Sequence, residues 1–279
     1  MAAEDEIKQV AKRAGALVVG IANLESLNDK APPAHRPVDF LPGAKSVVVA
    51  GCATPSSGAM HSPEPRMYSF SKALRRSKRG IIATAIEDYL ERQWGYQALQ
   101  LPVGIQSGFV PWVSLKLCAE EASLGERGLN NLIINPTYGP RLEFVAAVTT
   151  MPLAADPRNG ANPCPHPECI RLWAKEETTY CLQTCPDCLS GEIDKGKIKW
   201  AGYEQLSCMP KANLANTTRF AKILEVILEE EDKEKRKRML YGRDFHLCLE
   251  ALASGIETFA TCFECQRVCP LGADKFELR

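Results

Sequence analysis

The chain has 279 residues, 34 Lys and Arg against 34 Asp and Glu, 45% hydrophobic residues and 12 cysteines. That length buries a core without disulfide staples, and the zero net charge excludes a general nucleic-acid or membrane-surface binder, which needs a basic excess. No long apolar run suits a membrane span, and the start, Met1 to Glu6, lacks the basic and apolar regions of an export leader. The expectation is a cytoplasmic protein with neither membrane nor nucleic acid as partner.

Ile7, Val10, Ala11 and Ala14 repeat at helical spacing, predicting a short amphipathic helix that Gly15 ends. Residues 16–22 and 45–50 are apolar runs rich in Val and Ile, the pattern of buried strands, with a Pro-rich polar loop over 28–42 between them. A second loop over 55–66 feeds a helix over 78–94, with Ile82, Ile86 and Tyr89 along one stripe and Gly95 as its stop. Residues 113–124 predict another helix, ended by Gly125. Residues 129–134 and 142–149 predict a strand pair joined by the turn-forming segment 135–140.

Composition shifts at 154–163, which places a domain boundary there: an α/β domain over residues 1–160, then a cysteine-rich domain over 161–279 with a helix near 216–238. In that helix Phe220, Ile223, Leu224, Ile227 and Leu228 form an apolar stripe. The mixed charges that follow, Glu229 to Arg238, read as a solvated helix end.

The cysteines are unevenly placed. Only Cys52 and Cys118 precede Cys164, and both read as small buried hydrophobes. The rest gather in two runs, Cys181-x3-Cys185-Pro-x-Cys188 and Cys262-x2-Cys265-x3-Cys269-Pro270, with Cys164 and Cys169 ahead of them and Cys208 and Cys248 between. Thiolates this close in sequence converge on one ion or cluster, and the x3-Cys-Pro ending is that of ferredoxins with two 4Fe–4S clusters, where the last cysteine serves the other cluster. Cys181, Cys185, Cys188, Cys208, Cys262, Cys265 and Cys269 supply seven ligands for two 4Fe–4S clusters. Cys169 is the eighth, with Cys164 or Cys248 as substitutes. One cluster alone, a zinc-binding structural adaptor, and a radical S-adenosylmethionine site on the 181–188 spacing are the alternatives. The last lacks room for its barrel after Cys188.

Two stretches carry a family likeness. The segment Ser114 to Arg141 (SLKLCAEEASLGERGLNNLIINPTYGPR) and the closing Cys262-Phe-Glu-Cys-Gln-Arg-Val-Cys-Pro270 resemble the iron–sulfur, corrinoid-using proteins that include epoxyqueuosine reductase and the reductive dehalogenases. The resemblance implies an α+β fold: an N-terminal α/β sheet domain that holds a corrinoid, then a two-cluster ferredoxin-like module feeding it electrons. It also implies a cobalamin-type cofactor lined by Gly125, Asn130, Asn131, Asn135 and Gly139. Tyr138 then stands as a candidate proton donor, and Arg141 as a candidate binder of a carboxylate, phosphate or cofactor amide. The implied activity is an oxidoreductase that takes electrons from a low-potential donor such as a ferredoxin or flavodoxin, and passes them to a corrinoid, a small-molecule substrate or a partner redox protein. An electron carrier or activator without its own corrinoid is the rival.

The sequence departs from that family in three places. Its first two cluster cysteines fall on Lys175 and Thr178, its lysine after the glycine-rich turn falls on Leu129, and no Asp or Glu occurs between Pro102 and Cys118 to match its acidic proton donor. The family's tRNA-binding repeats are also missing, so tRNA is not expected as substrate. Lys116 and Glu120 read as a surface pair, and His166, between two prolines, reads as a loop histidine.

Overall fold

The computed structural model describes residues 2–54, 57–101, 111–158, 160–212, 217–253 and 262–273. In chain order the first half comprises α1 (Ala3–Arg13), β1 (Val18–Ala22), α2 (Leu24–Lys30), α3 (Pro37–Phe40), β2 (Ser46–Ala53), α4 (Ser57–Met60), α5 (Pro65–Trp94), β3 (Ala98–Gln100), α6 (Leu115–Glu121), β4 (Glu126–Arg127), β5 (Ile133–Ile134) and β6 (Leu142–Thr149). The second half comprises α7 (Pro167–Glu176), α8 (Tyr180–Thr184), β7 (Leu189–Asp194), β8 (Lys197–Tyr203), α9 (Gln205–Ala212), α10 (Thr217–Glu229), α11 (Lys233–Leu240), α12 (Arg243–Ala253) and α13 (Glu264–Arg267).

β1, β2, β6 and β3 form one antiparallel sheet in that order, with β2 and β6 paired along their full length. Strand alternation divides the side chains between two cores. Val47, Val49, Phe144, Ala146 and Val148 face α6, packing with Cys118, Ala119 and Ala122. Val48, Ala50, Cys52, Val145 and Ala147 face α1 and α5, packing with Ile7, Ala11, Ile82 and Ile86. A sheet covered on both faces needs apolar residues at every position, which is why these strands read as continuous apolar runs. Cys52 and Cys118 are buried in the two cores, as their sequence context implies.

Three sequence expectations are corrected. α5 starts at Pro65 rather than near residue 78. Its first half is rich in basic and polar residues, and Ile82, Ala83, Ile86 and Leu90 in the second half press on the sheet, so periodicity appears late. The segment over 129–134 does not pair with 142–149. Asn131 takes φ +57 and donates its N–H to the Gly128 carbonyl in a turn, leaving the short β5 to pair with β4. Finally, the helix near 216–238 is two helices: the Asp232 carboxylate caps α11 by accepting from the amides of Glu234 and Lys235. Leu228 is accordingly 75% exposed, while Ile227 is buried.

The segment at 154–163 is bolted to the sheet domain. Asp156 accepts from the Ile21 amide at 2.8 Å and from Lys8 at 2.6 Å, and Arg158 reaches Glu121 and Glu126 at 2.9 and 2.6 Å. No helix among the described residues is long and apolar enough to cross a membrane.

Candidate metal centre

Four cysteines from three separate pieces of chain line one pocket. Cys164 precedes α7, Cys169 lies in its first turn, Cys181 opens α8 and Cys269 follows α13. They line the pocket together with His166 and Thr179. Local capping explains the aim of two of them. His166 caps α7, its Nδ1 accepting from the Glu168 amide at 3.3 Å, and Thr179 caps α8 while its hydroxyl lies 3.3 Å from the Cys181 sulfur. His166 is thus a capping residue on the wall of this pocket. No three His, Cys, Asp or Glu side chains among the described residues close around one point as a single ion would require. The four thiols surround a cavity instead.

The remaining run cysteines gather beside it. Cys185 ends α8, Cys208 lies in α9, and Cys262 and Cys265 flank the start of α13. Cys262 and Cys265 are within electrostatic reach of each other and of Cys185 and Cys208. Cys164, Cys185, Cys208 and Cys265 all pack on the small core built from Leu129, Cys181, Leu182, Cys188 and Leu189. Cys181 and Cys269 line the pocket, whereas Cys185 and Cys265 do not, although Cys181 shares its core with both. Cys188 is buried in that core and is absent from the pocket wall. Cys248 packs in another cluster, with Phe220, Ile223 and Leu247.

Burial raises these thiols. It pushes Cys164, Cys265 and Cys269 up to about 12, and raises Cys169, Cys181 and Cys262 in the same direction. Such thiols are neutral at ordinary pH, so binding a metal here releases protons.

Polar and aromatic groups brace both sets from distant parts of the chain, where no local sequence pattern marks Tyr68 or Gln266 for this role. Tyr68 stacks on Phe263 with ring centres 3.8 Å apart, and its hydroxyl donates to Gln266 at 2.9 Å. Gln266 in turn donates to the Pro140 carbonyl at 2.7 Å. Lys116 does not pair with Glu120 as expected: its amine donates to the Asn131 carbonyl at 2.6 Å, and Glu120 is held by Arg127 at 3.0 Å. Burial first, then the Arg127 charge, lowers Lys116 to about 8.

Arg141, nominated for substrate or cofactor binding, is 4% exposed and donates to the carbonyls of Leu271 at 2.6 Å and Cys269 at 2.9 Å. Tyr138 packs partly buried against the sheet core. The residues nominated for a corrinoid serve the protein's own contacts. Asn135 accepts from the amides of Thr137 and Tyr138 and donates to the Leu124 carbonyl. Asn130 accepts from the Leu132 amide and donates to the Cys265 carbonyl. Asn131 shapes the turn that receives Lys116, a Cβ at Gly125 would sit 2.6 Å from the Ile134 oxygen, and Gly139 abuts the Leu271 carbonyl. Among the described residues, these groups are committed to internal contacts rather than turned toward an open cradle.

The fold is similar to that of solved epoxyqueuosine reductases, so the resemblance in the sequence is borne out at the level of fold. Epoxyqueuosine reductase from Bacillus subtilis superposes over 98% of this chain with TM-score 0.54 at 19% identity, and the enzyme from Streptococcus thermophilus over 98% with TM-score 0.51 at 16%. A catabolic reductive dehalogenase matches over 88% of the chain, with TM-score 0.50 at 17% identity. The chain spans 66% and 67% of the two reductases and 35% of the dehalogenase. No known family profile and no curated protein sequence matches it.

Proposed function

We propose that the chain is an iron–sulfur oxidoreductase with two four-iron clusters in a ferredoxin-like C-terminal module. One cluster is held by Cys164, Cys169, Cys181 and Cys269, and the other by Cys185, Cys208, Cys262 and Cys265. The observation that carries this reading is the pocket wall, where both Cys164 and Cys169 stand with Cys181 and Cys269. They fill the places left by Lys175 and Thr178, and each Cys-Pro cysteine then serves the neighbouring set, as the two-cluster logic requires.

Four thiols that line one pocket without closing around a single point suit a multi-atom cluster better than a zinc ion, whose bonds of about 2.3 Å would draw four sulfurs tightly together. When bound, such clusters supply single electrons at low potential. The chain's own part is to exclude water through the core of Leu129, Leu182 and Leu189, and to hold the cysteine backbones through Arg141 and Asn130. The engagement of Asn130, Asn135 and Gly139 in internal contacts favours an electron carrier or activator, reduced by a low-potential donor and serving an external acceptor, over a reductase with its own corrinoid.

Anaerobic purification and reconstitution with cobalamin present tests both parts. About eight irons per chain with matching sulfide is the expected outcome. Zinc without iron would refute the cluster reading, and a corrinoid absorption band retained through gel filtration would refute the preference for a carrier.

A further inference from the structure

Each thiol set has a cation built in beside it. Arg141 lies against the first set: it is buried, it donates to the carbonyl of Cys269 itself, and its charge reaches the Cys269 sulfur. Lys116 lies against the second. Its amine is fixed by the Asn131 carbonyl at 2.6 Å and stands 5.9 Å from the centre of the Tyr203 ring. Asn130, next to Asn131, donates its side-chain N–H to the Cys265 carbonyl, and the Lys116 amine lies within electrostatic reach of Cys208 and Cys265. These placements do not suit the other roles open to the two residues. Arg141 has two N–H groups committed to backbone, and the carboxylate expected to pair with Lys116 belongs to Arg127.

Resting on the two-cluster reading above, we infer that Arg141 and Lys116 are positioning charges that set the reduction potentials of the two clusters, one each. Arg141 acts on the cluster of Cys164, Cys169, Cys181 and Cys269, and Lys116 on that of Cys185, Cys208, Cys262 and Cys265. Four thiolates leave a four-iron cluster with net negative charge, and accepting one electron adds to it. A cation held nearby, away from bulk water, stabilises the reduced form more than the oxidised one and raises the potential. Both cations are anchored to carbonyls of the loops that carry or touch the ligands, so their distance from the sulfurs is fixed by the fold.

The test uses the full chain reconstituted with iron and sulfide, assayed for iron and titrated with dithionite under electron paramagnetic resonance. Lys116→Gln is expected to shift one cluster's reduction equilibrium at least tenfold toward the oxidised form, about 59 mV for a one-electron couple, and to leave the other cluster unmoved. Arg141→Gln is expected to move the other cluster only. Lys116→Arg, which keeps the charge, is expected to hold the wild-type potential. Full iron with neither midpoint moved in Lys116→Gln would overturn the inference alone, as would both substitutions moving the same cluster. If Lys116→Gln fails to hold its cluster, Lys116→Arg decides: the wild-type potential supports the inference, and an empty or shifted cluster overturns it. A wild-type chain that binds no iron defeats the two-cluster reading itself, and its iron assay separates that outcome from the others.

Discussion

Gly139 and Gly272 meet backbone to backbone. A Cβ on Gly139 would overlap the Leu271 carbonyl, and one on Gly272 would overlap the Tyr138 carbonyl group and the Gly139 nitrogen. Both residues take positive φ, +55 and +68. The contact locks the loop between β5 and β6 onto the segment that follows Cys269, and Arg141 ties the same two segments together from the side.

Alanine at either glycine is therefore expected to destabilise the chain by strain and by steric overlap together, at about 1–3 kcal/mol for the backbone conformation alone. The overlap is with backbone atoms, which cannot swing aside as a side chain does, so the total should exceed that figure. Urea denaturation of Gly139→Ala and Gly272→Ala measures it. A change within error of zero would mean that the two segments are not locked in solution.

Asp156 provides a second link, between the segment after β6 and the sheet. Replacing it with Ala removes the acceptor for the Ile21 amide and the partner of Lys8. An amide left without a partner costs about 1–3 kcal/mol, and the exposed part of the Lys8 pair adds little. The expected result is a lower urea midpoint with an unchanged slope.

The strands of the sheet were legible because burial on both faces leaves continuous apolar runs, as in Val47 to Ala50. Their pairing was not. β2 and β6 lie nearly a hundred residues apart in sequence, and nothing local links Val48 to its partner Ala147. The cysteine runs nominate a metal site, and spacing nominates Cys188 because it lies three residues from Cys185. The start of α7 folds back so that Cys164 and Cys169 line one pocket with Cys181, a placement that no local spacing encodes. Arg141 is nominated as a binder of a carboxylate, phosphate or cofactor amide, yet the contacts it makes are to a pair of carbonyls more than a hundred residues away, which no sequence pattern encodes.

Acid should weaken the chain through Glu121. Burial raises its carboxyl, but hydrogen bonds from Lys30 and Ser26 and the charges of Lys30 and Arg158 outweigh this, and its value lies below the usual 4.5. With the folded value depressed, the stabilisation is complete above the unfolded value and is lost as pH falls through the folded one. Glu121→Gln is expected to lower the urea midpoint at neutral pH, and to converge with wild type once the pH has fallen below the depressed folded value. A difference that persists undiminished at low pH would show that the ion pairs do not stabilise the fold.

The sharpest discrimination lies in a series of cysteine substitutions. If the sets are those proposed, Cys164→Ser and Cys169→Ser should each reduce iron from about eight to about four per chain, because a four-iron cluster without one thiolate is poorly retained. Cys208→Ser should do the same for the other set, leaving a different resonance signal. Cys188→Ala and Cys248→Ala should retain the full iron content, since Cys188 is packed in the core away from the pocket wall and Cys248 lies among Phe220, Ile223 and Leu247. The spacing of the first run makes the opposite prediction for Cys188, so this single variant separates ligation read from sequence proximity from ligation read from the fold. Half the iron lost in Cys188→Ala, with none lost in Cys164→Ser, would reassign the first set. Urea midpoints measured on the apo forms guard against a trivial cause, because a thiol that only fills the core changes stability whether or not iron is present.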